Sequence, residues 1–253
     1  RVLFRSYFEL DGTFPNHEAN PIDAANVKDL QAAVKKHKAD IGLAFDGDAD
    51  RCFLIDEKGA IVTPSTLTGL IAVRELKRKP GSSIIYNLIS SKAVPEVVNE
   101  HGGTAIRSRV GHSFIKAMMA ETGAIFGGEH SGHFYFADFW KADSGMLAAL
   151  FALAELSSSD KPLSELLAPY NRYVVSGEIN TRVADTEKSL HIIRESFKQD
   201  YSIDELDGVT VTADEWWFNV RPSNTEPLLR LNVEADNKAT MQKVRDKVLD
   251  LIK

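Results

Sequence analysis

The sequence has one cysteine, no long hydrophobic run and no excess of positive charge, and each shortage excludes something. The one cysteine, Cys52, cannot form an internal disulfide and fits a reducing cytoplasm. No apolar stretch reaches the ~18 residues needed to span a bilayer, so we expect a cytoplasmic protein without a membrane partner. The formal net charge of -6 argues against a nucleic-acid partner, because surfaces that neutralise nucleic-acid phosphates are usually basic.

The remaining composition is that of an ordinary globular protein. With 43% hydrophobic and 26% charged residues, the chain of 253 residues is long enough for two or three compact units. Cys52 begins an apolar run, where a buried, unreactive thiol is expected rather than a nucleophile.

Apolar periodicity gives a coarse map of the chain. A helix is predicted over 27–36, followed by two strands, 41–45 and 51–56, that flank an acidic loop. After Pro64, helices and strands alternate, which predicts an α/β layer with a largely parallel sheet. From about Tyr173, strands and helices predict a small α+β domain. The expected domains are residues 1–63, 64–171 and 172–253.

The acidic loop is a candidate metal site. Asp46, Asp48 and Asp50 alternate with small residues directly after an apolar strand, so three carboxylates can face one cation. Oxygen ligands of this kind suit Mg²⁺ or Ca²⁺. An EF-hand is one alternative, because Glu57 stands at the twelfth position of such a loop, but Arg51 replaces the turn glycine and the flanks are strands. A solvated acidic turn is the other alternative.

A second loop, residues 128–133, combines a carboxylate, a hydroxyl and imidazoles with glycines that allow close backbone approach. The carboxylate of Glu129 and the hydroxyl of Ser131 suit sugar hydroxyls, and either imidazole, of His130 or His133, could serve as a general acid or base. An acyl-transfer Ser-His-Glu cluster is disfavoured because no G-x-S-x-G turn is present. A turn with incidental polar residues also accounts for the motif.

The third loop, residues 221–227, predicts an anion site. Arg221 can hold a phosphate with two hydrogen bonds, although a structural Asx or ST turn would explain the neighbouring polar residues equally well. Those neighbours are Ser223, Asn224 and Thr225. A helix start at His112 is another place that favours anions. The cations around it are Arg107, Arg109 and Lys116.

Taken together and in this order, the three loops resemble those of the α-D-phosphohexomutase superfamily. In that family four domains surround one cleft, and the resemblance implies mixed-sheet α/β domains followed by a small α+β domain. By the same resemblance, the chain supplies the end of the second domain, the third and the fourth, while the first is missing. The chain begins without Met, and Arg1–Ser6 does not resemble the family, so we expect truncation and foreign or misread sequence there.

The resemblance also implies roles for individual residues. Asp46, Asp48 and Asp50 would bind Mg²⁺ together with a phosphoserine on the absent first domain, with Arg51 beside the transferring phosphoryl group. The substrate contacts implied are Glu129 and Ser131 for sugar hydroxyls, His133 and His112 for proton transfer and sugar positioning, and Arg221, Ser223, Asn224 and Thr225 for the non-reacting phosphate. Relatives often have a cleft lysine where this chain has Ile89, so Lys92 would supply that cation.

The implied reaction interconverts hexose 1-phosphate and hexose 6-phosphate, of mannose or glucose, through a hexose 1,6-bisphosphate. His130 and Asn224 favour the phosphomannomutase/phosphoglucomutase branch, since phosphoglucosamine mutases usually resemble GEQSGH and RPSGTEP. The alternatives are a phosphoglucosamine mutase and a non-catalytic module that binds phosphosugar or Ca²⁺. The chain has no T-A-S-H-N-P-like phosphoserine motif, so we expect no turnover from it alone. The sequence does not indicate an oligomeric state.

Overall fold

The computed structural model describes residues 4–9, 11–223 and 226–252. The chain forms two compact units, residues 1–171 (unit 1) and 172–253 (unit 2). The elements of unit 1 are α1 (Lys28–His37), β1 (Ile41–Phe45), β2 (Cys52–Asp56), β3 (Ile61–Val62), α2 (Pro64–Arg78), β4 (Ser83–Asn87), α3 (Ala93–Glu100), β5 (Thr104–Ser108), α4 (His112–Thr122), β6 (Phe126–Gly128), β7 (Phe134–Phe136), β8 (Ala142–Asp143), α5 (Gly145–Ser157) and α6 (Leu163–Leu167), with 3-10 turns at Ala24–Val27 and Ala168–Tyr170. Those of unit 2 are β9 (Val174–Val175), β10 (Ile179–Arg182), α7 (Thr186–Phe197), β11 (Ser202–Asp204), β12 (Val209–Thr212), β13 (Trp216–Pro222), β14 (Leu228–Ala235) and α8 (Lys238–Ile252).

The acidic loop is the turn of a β-hairpin. β1 and β2 pair antiparallel up to Phe45 opposite Cys52, and β3 completes a three-stranded sheet. Helix α1 packs against this hairpin, with Val34 against Ile55. Gly42 permits the approach, because a Cβ there would lie 2.8 Å from the Val34 side chain. The loop is therefore carried on a packed base rather than on an extended linker.

The second sheet of unit 1 is mixed, as the family resemblance implies, rather than largely parallel, as the helix–strand alternation alone predicts. Its order is β5-β4-β6-β7-β8, and β4 pairs in parallel with both β5 and β6. β7 and β8 are antiparallel additions. The chain reverses through Gly132, whose φ of +90° suits glycine, and the returning strand β7 is too short to show an alternating pattern in sequence.

Helix α2 is the centre of the unit 1 core. It begins at Pro64, because Pro64 occupies the first turn and the Thr63 hydroxyl accepts from the Thr66 N–H at 3.3 Å. Most of its length is buried, including the carboxylate of Glu75, which pairs with Arg78 at 2.6 Å. The helix packs against the parallel strands and against α5. The loops at the ends of these strands are therefore supported by α2, which is itself buried.

Unit 2 is one antiparallel sheet with both helices on one face. The strand order is β10-β14-β13-β12-β11, and β9 also pairs with β14. Alternate side chains of β13 and β14, such as Phe218 and Val233, join α7 and α8 in an apolar core. The other face carries polar cross-strand pairs, which are Trp217–Glu234, Asn219–Asn232 and Arg221–Arg230.

Candidate functional site

The three aspartates of the hairpin loop converge. Asp46, Asp48 and Asp50 each offer a carboxylate oxygen, and these oxygens lie within 4.8 Å of one another. Ala49, between two of them, has a φ of +59°, so the loop backbone turns sharply to bring alternate side chains together. Asp48 is exposed, whereas the Asp46 side chain is only 6% exposed. A cation could therefore reach the cluster from the solvent side.

Arg51 holds one side of this cluster. Its Nε donates to Asp46 Oδ2 at 2.7 Å, its backbone N–H donates to Asp46 Oδ1 at 3.1 Å, and its Nη1 donates to Asn20 Oδ1 at 3.1 Å. Burial raises the pKa of Asp46, but the Arg51 hydrogen bonds outweigh it, so that the pKa is lowered. The pKa of Asp50 is raised, first by burial and then by the charges of Asp46 and Asp48, although His133 acts in the opposite direction.

The EF-hand alternative is wrong. Strands β1 and β2 flank the loop on both sides, and Glu57 follows the far end of β2, where Asp56 pairs with Ile41. Glu57 accepts instead from the backbone N–H of Ser164 at 3.0 Å and from its hydroxyl at 2.5 Å. The twelfth position of an EF-hand supplies a metal ligand. In this fold it caps the start of helix α6.

Backbone hydrogen bonds join the acidic hairpin to the second predicted loop. Arg51 and His133 form an antiparallel bridge, and the Cys52 N–H donates to the Gly132 carbonyl at 3.1 Å. A side chain at position 132 would clash, since its Cβ would lie 2.5 Å from the Phe53 ring. The Gly145 N–H also donates to the Ala49 carbonyl, at 3.2 Å. Two loops that lie about 80 residues apart in sequence thus form one surface.

His133 is the imidazole beside the aspartates. Its Nδ1 lies 2.9 Å from Asp143 Oδ2 and 3.7 Å from Asp50 Oδ2, and the other Asp143 oxygen pairs with Lys116 Nζ at 2.8 Å. Burial lowers the pKa of His133, but Asp143 and Asp50 outweigh it and the pKa is raised. The pKa of Asp143 is lowered, because hydrogen bonds from His133 and Lys116 outweigh its burial.

The Glu129 carboxylate is buried and accepts hydrogen bonds from other groups of the protein. The side chain is 2% exposed and accepts from Asn87 Nδ2 at 3.3 Å, from the Gly111 N–H at 3.1 Å and from the Tyr135 hydroxyl at 2.8 Å. Because these donors come from β4, the start of α4 and β7, the carboxylate fixes three elements relative to one another. Ser131, in the same loop, is half-buried.

Two further predicted residues of unit 1, His112 and Lys92, lie at helix starts. His112 is the first residue of α4, after Gly111, whose φ of +131° suits glycine. Lys92 is half-buried and precedes α3. Lys116, predicted beside an anion, is instead paired with Asp143. Cys52 is fully buried and its thiol pKa is raised to about 12 by burial, which agrees with an unreactive thiol.

In unit 2, Arg221 lies on β13, directly opposite Arg230 on β14. Arg221 is 6% exposed, and its Nη2 donates to Glu178 Oε2 at 3.1 Å. Arg230 donates to the Ser223 hydroxyl at 3.3 Å. Asn224 and Thr225, also predicted as phosphate contacts, lie outside the described residues.

Several contributors were not singled out as site residues from sequence, among them Asp143, Asn87, Tyr135 and Glu178. Each acts through a partner that was predicted, namely His133, Glu129 or Arg221. In the sequence, Asp143 is only a carboxylate two residues before Gly145, and Glu178 is only a glutamate just before a strand. Neither is a motif. The fold alone brings these residues to their partners.

Three models of one family match the chain in succession. Phosphoglucomutase/phosphomannomutase, alpha/beta/alpha domain II, matches residues 2–59. Domain III of the same description matches 63–173, and the C-terminal domain matches 178–251. The chain belongs to the phosphoglucomutase/phosphomannomutase family.

Individual relatives agree with this assignment. The phosphomannomutase of Methanocaldococcus jannaschii is 45% identical over 242 residues, which cover 96% of this chain and 54% of that protein. The phosphomannomutase of Escherichia coli K12 is 41% identical over 241 residues, 94% of this chain and 53% of that protein. A crystal structure of a phosphoglucomutase/phosphomannomutase family protein from Burkholderia thailandensis superimposes with a TM-score of 0.87 at 33% identity, covering 97% of this chain and 53% of that one.

The chain spans about half the length of the curated relatives it matches. Within residues 4–9, 11–223 and 226–252, no helix has the length and apolar character needed to cross a membrane.

Proposed function

We propose that this chain is the metal- and substrate-binding portion of a phosphohexomutase that interconverts hexose 1-phosphate and hexose 6-phosphate, of mannose or glucose, through a 1,6-bisphosphate. The observation that carries the proposal is the joining of the Asp46–Arg51 loop to the 128–133 loop by backbone hydrogen bonds. Phosphoryl transfer needs a cation site, a proton acceptor and a sugar clamp in one place. The relatives named phosphomannomutase support the same reading.

Asp46, Asp48 and Asp50 fit a Mg²⁺ ion. The donor set is oxygen only, and Asp50 Oδ1 is buried without a hydrogen-bond partner among the described residues. Burial raises the pKa of Asp50, and the charges of Asp46 and Asp48 raise it further, a crowding of negative charge that a cation would relieve. The second cluster, Asp50 with His133 and Asp143, fits less well because Asp143 is already bonded to His133 and Lys116. When bound, Mg²⁺ would stabilise negative charge on the phosphoryl group in transfer.

His133 is our proposed general base, and Arg51 the cation beside the phosphoryl group. When Nδ1–H donates a hydrogen bond to Asp143, Nε2 keeps the lone pair that can take a proton from a sugar hydroxyl. Arg51 uses Nε on Asp46 and Nη1 on Asn20, which fixes its guanidinium at the edge of the loop. Proton transfer and charge stabilisation are thus assigned to different side chains of neighbouring strands.

Substrate binding is assigned to both units. In unit 1 we propose sugar contacts from Ser131, Glu129 and His112, with Lys92 as a further cation. In unit 2 the phosphate contacts proposed are Arg221, Ser223, Asn224 and Thr225. The domain limits 1–63, 64–171 and 172–253 remain a prediction, as does a cytoplasmic location.

The serine that carries the transferring phosphoryl group would lie outside these 253 residues, because the sequence has no motif of that kind. We therefore expect the purified chain to bind hexose phosphate but not to turn it over. A coupled assay would detect conversion of mannose 1-phosphate to mannose 6-phosphate. Robust conversion by the chain alone would contradict this part of the proposal.

Calorimetry separates the mutase portion from a non-catalytic Ca²⁺-binding module. The chain should bind mannose 6-phosphate, and Arg221→Ala should abolish that binding because the buried guanidinium is the main cation offered to phosphate. Asp246→Ala, which removes an exposed carboxylate of the same unit, is the matched control. Strong Ca²⁺ binding with no response to hexose phosphate would favour the module instead.

A further inference from the structure

Arg221 and Arg230 form a like-charged pair directly across two antiparallel strands. Such pairs are destabilising, because side chains directly opposite one another lie within about 5.5 Å at Cβ. Arg221 is also 6% exposed, so water screens its charge little. A neighbouring group must therefore compensate for the repulsion.

Glu178 is that group. Its Oε2 lies 3.1 Å from Arg221 Nη2, and its Oε1 lies 3.5 Å from Arg230 Nη1. One carboxylate thus contacts both guanidiniums, one with each oxygen. The three side chains together carry one net positive charge.

A local irregularity of the sheet puts Glu178 in this position. Val175 pairs with Glu234 and Ile179 pairs with Leu231, so the strand that enters the sheet has one residue more than β14 between these two pairs. The extra residue is accommodated at Gly177, whose φ is +71°. An extra residue of this kind re-aims the side chains that follow it. Here it turns the carboxylate of Glu178 toward the two arginines.

The two guanidiniums keep further donors. The Nε atoms of Arg221 and Arg230 are buried and have no hydrogen-bond partner among the described residues. A buried N–H without an acceptor is costly, which makes a ligand with several acceptor oxygens favourable at this position. A phosphate offers such oxygens and carries the charge that the site lacks.

We propose that Glu178 is a positioning residue of the anion site: it holds Arg221 and Arg230 side by side, so that both guanidiniums face one phosphate. The proposal rests on the function proposed above. Glu178 does not itself contact the substrate, since a carboxylate repels phosphate. Its effect on binding passes entirely through the two arginines.

The test is a calorimetric titration of the 253-residue chain with inorganic phosphate and with mannose 6-phosphate. Glu178→Gln should weaken the binding of both by about tenfold or more, because the negative charge is lost and the amide NH₂ that replaces one oxygen cannot accept from a guanidinium. Glu205→Gln is the matched control, since it breaks an exposed Arg–Glu pair with Arg194 in the same unit. It should leave both affinities unchanged.

A double-mutant cycle distinguishes positioning from a merely structural role. In an Arg230→Met background, Glu178→Gln should weaken phosphate binding by less than about twofold, since the pair it holds together no longer exists. A structural role would give the same loss in both backgrounds. The Nε–H resonances of Arg221 and Arg230 should shift together in Glu178→Gln, whereas Glu205→Gln should shift only that of Arg194.

If Glu178→Gln does not fold, Glu178→Asp replaces it, because the shortened carboxylate keeps the charge but cannot reach both arginines, and the same weakening is expected. Unchanged or tighter phosphate binding by either folded variant overturns the positioning role and leaves the proposed function intact. Absence of phosphate binding by the unaltered chain would contradict the proposed function as well.

Discussion

The acidic loop of unit 1 and the arginine pair of unit 2 are opposite in charge but similar in design. Each gathers like charges and places one residue of opposite charge among them. Arg51 pairs with Asp46, and Glu178 pairs with both Arg221 and Arg230. The difference is in how much is compensated. Arg51 pairs with only one of the three aspartates, whereas Glu178 contacts both members of its pair. We therefore expect the basic site to depend more on its counter-charge than the acidic site does.

The largest effect should come from removing a carboxylate that Arg51 does not pair with. Asp48→Ala should lower the Mg²⁺ affinity of the chain by about 100-fold and abolish turnover in an intact enzyme that carries this loop, with little change in fold. Calorimetry, a coupled assay and circular dichroism measure the three quantities. Asp40→Ala, at the other end of β1, is the control. Retained Mg²⁺ binding or turnover would refute the metal assignment.

The next effect compares the two counter-charges through stability. Glu178→Gln should lower the free energy of unfolding by about 3 kcal/mol, because it leaves the buried Arg221 without its carboxylate. Arg51→Met should cost only about 1 kcal/mol, because its partner Asp46 keeps a backbone hydrogen bond and Asp48 remains solvated. Urea unfolding measures both. Equal losses would show that the two sites are compensated to the same degree.

A smaller loss is expected at the buried Glu129 network. Tyr135→Phe removes the hydroxyl that donates to Glu129 Oε2 at 2.8 Å, and should cost about 2 kcal/mol because the carboxylate remains buried. Tyr170→Phe, a half-buried tyrosine of the same unit, is the control for loss of a hydroxyl. If the two variants unfold at the same urea concentration, Glu129 does not need this donor.

The smallest effect concerns Cys52, which belongs to neither charged site. Burial raises its thiol pKa from 9.0 to about 12, so the folded state favours the neutral thiol. Its contribution to stability is therefore complete below about pH 9 and declines as the pH rises toward 12. At pH 8.5 iodoacetamide should label the chain only after unfolding in urea, as read by mass spectrometry. Rapid labelling of the folded chain would contradict the burial.

The sequence predicted the charged residues of each site better than the residues and strand pairings that hold them in place. The Asp46–Arg51 loop and Arg221 were visible because each motif places chemistry next to an apolar strand. The joining of Arg51 to His133 was not, because the bridge depends on β7, a strand of three residues that follows a glycine turn. Local patterns are too short to encode such a pairing.

Two supports show why the rest could not be predicted. Asp143 stands ten residues after His133 and meets it only because β7 and β8 pair antiparallel. Glu178 meets its arginines only because one extra residue enters the strand before it. The same physics explains the sheet of unit 1, where helix–strand alternation predicts parallel strands but not the two antiparallel strands that complete the site.

The most direct test of the central claim is a chimera. Residues of this chain would replace the matching part of the M. jannaschii phosphomannomutase, to which it is 45% identical. We expect Mg²⁺-dependent interconversion of mannose 1-phosphate and mannose 6-phosphate by the chimera, and none by the 253-residue chain alone. A folded chimera that binds mannose 6-phosphate but fails to convert it would contradict the claim that these two sites serve a phosphohexomutase.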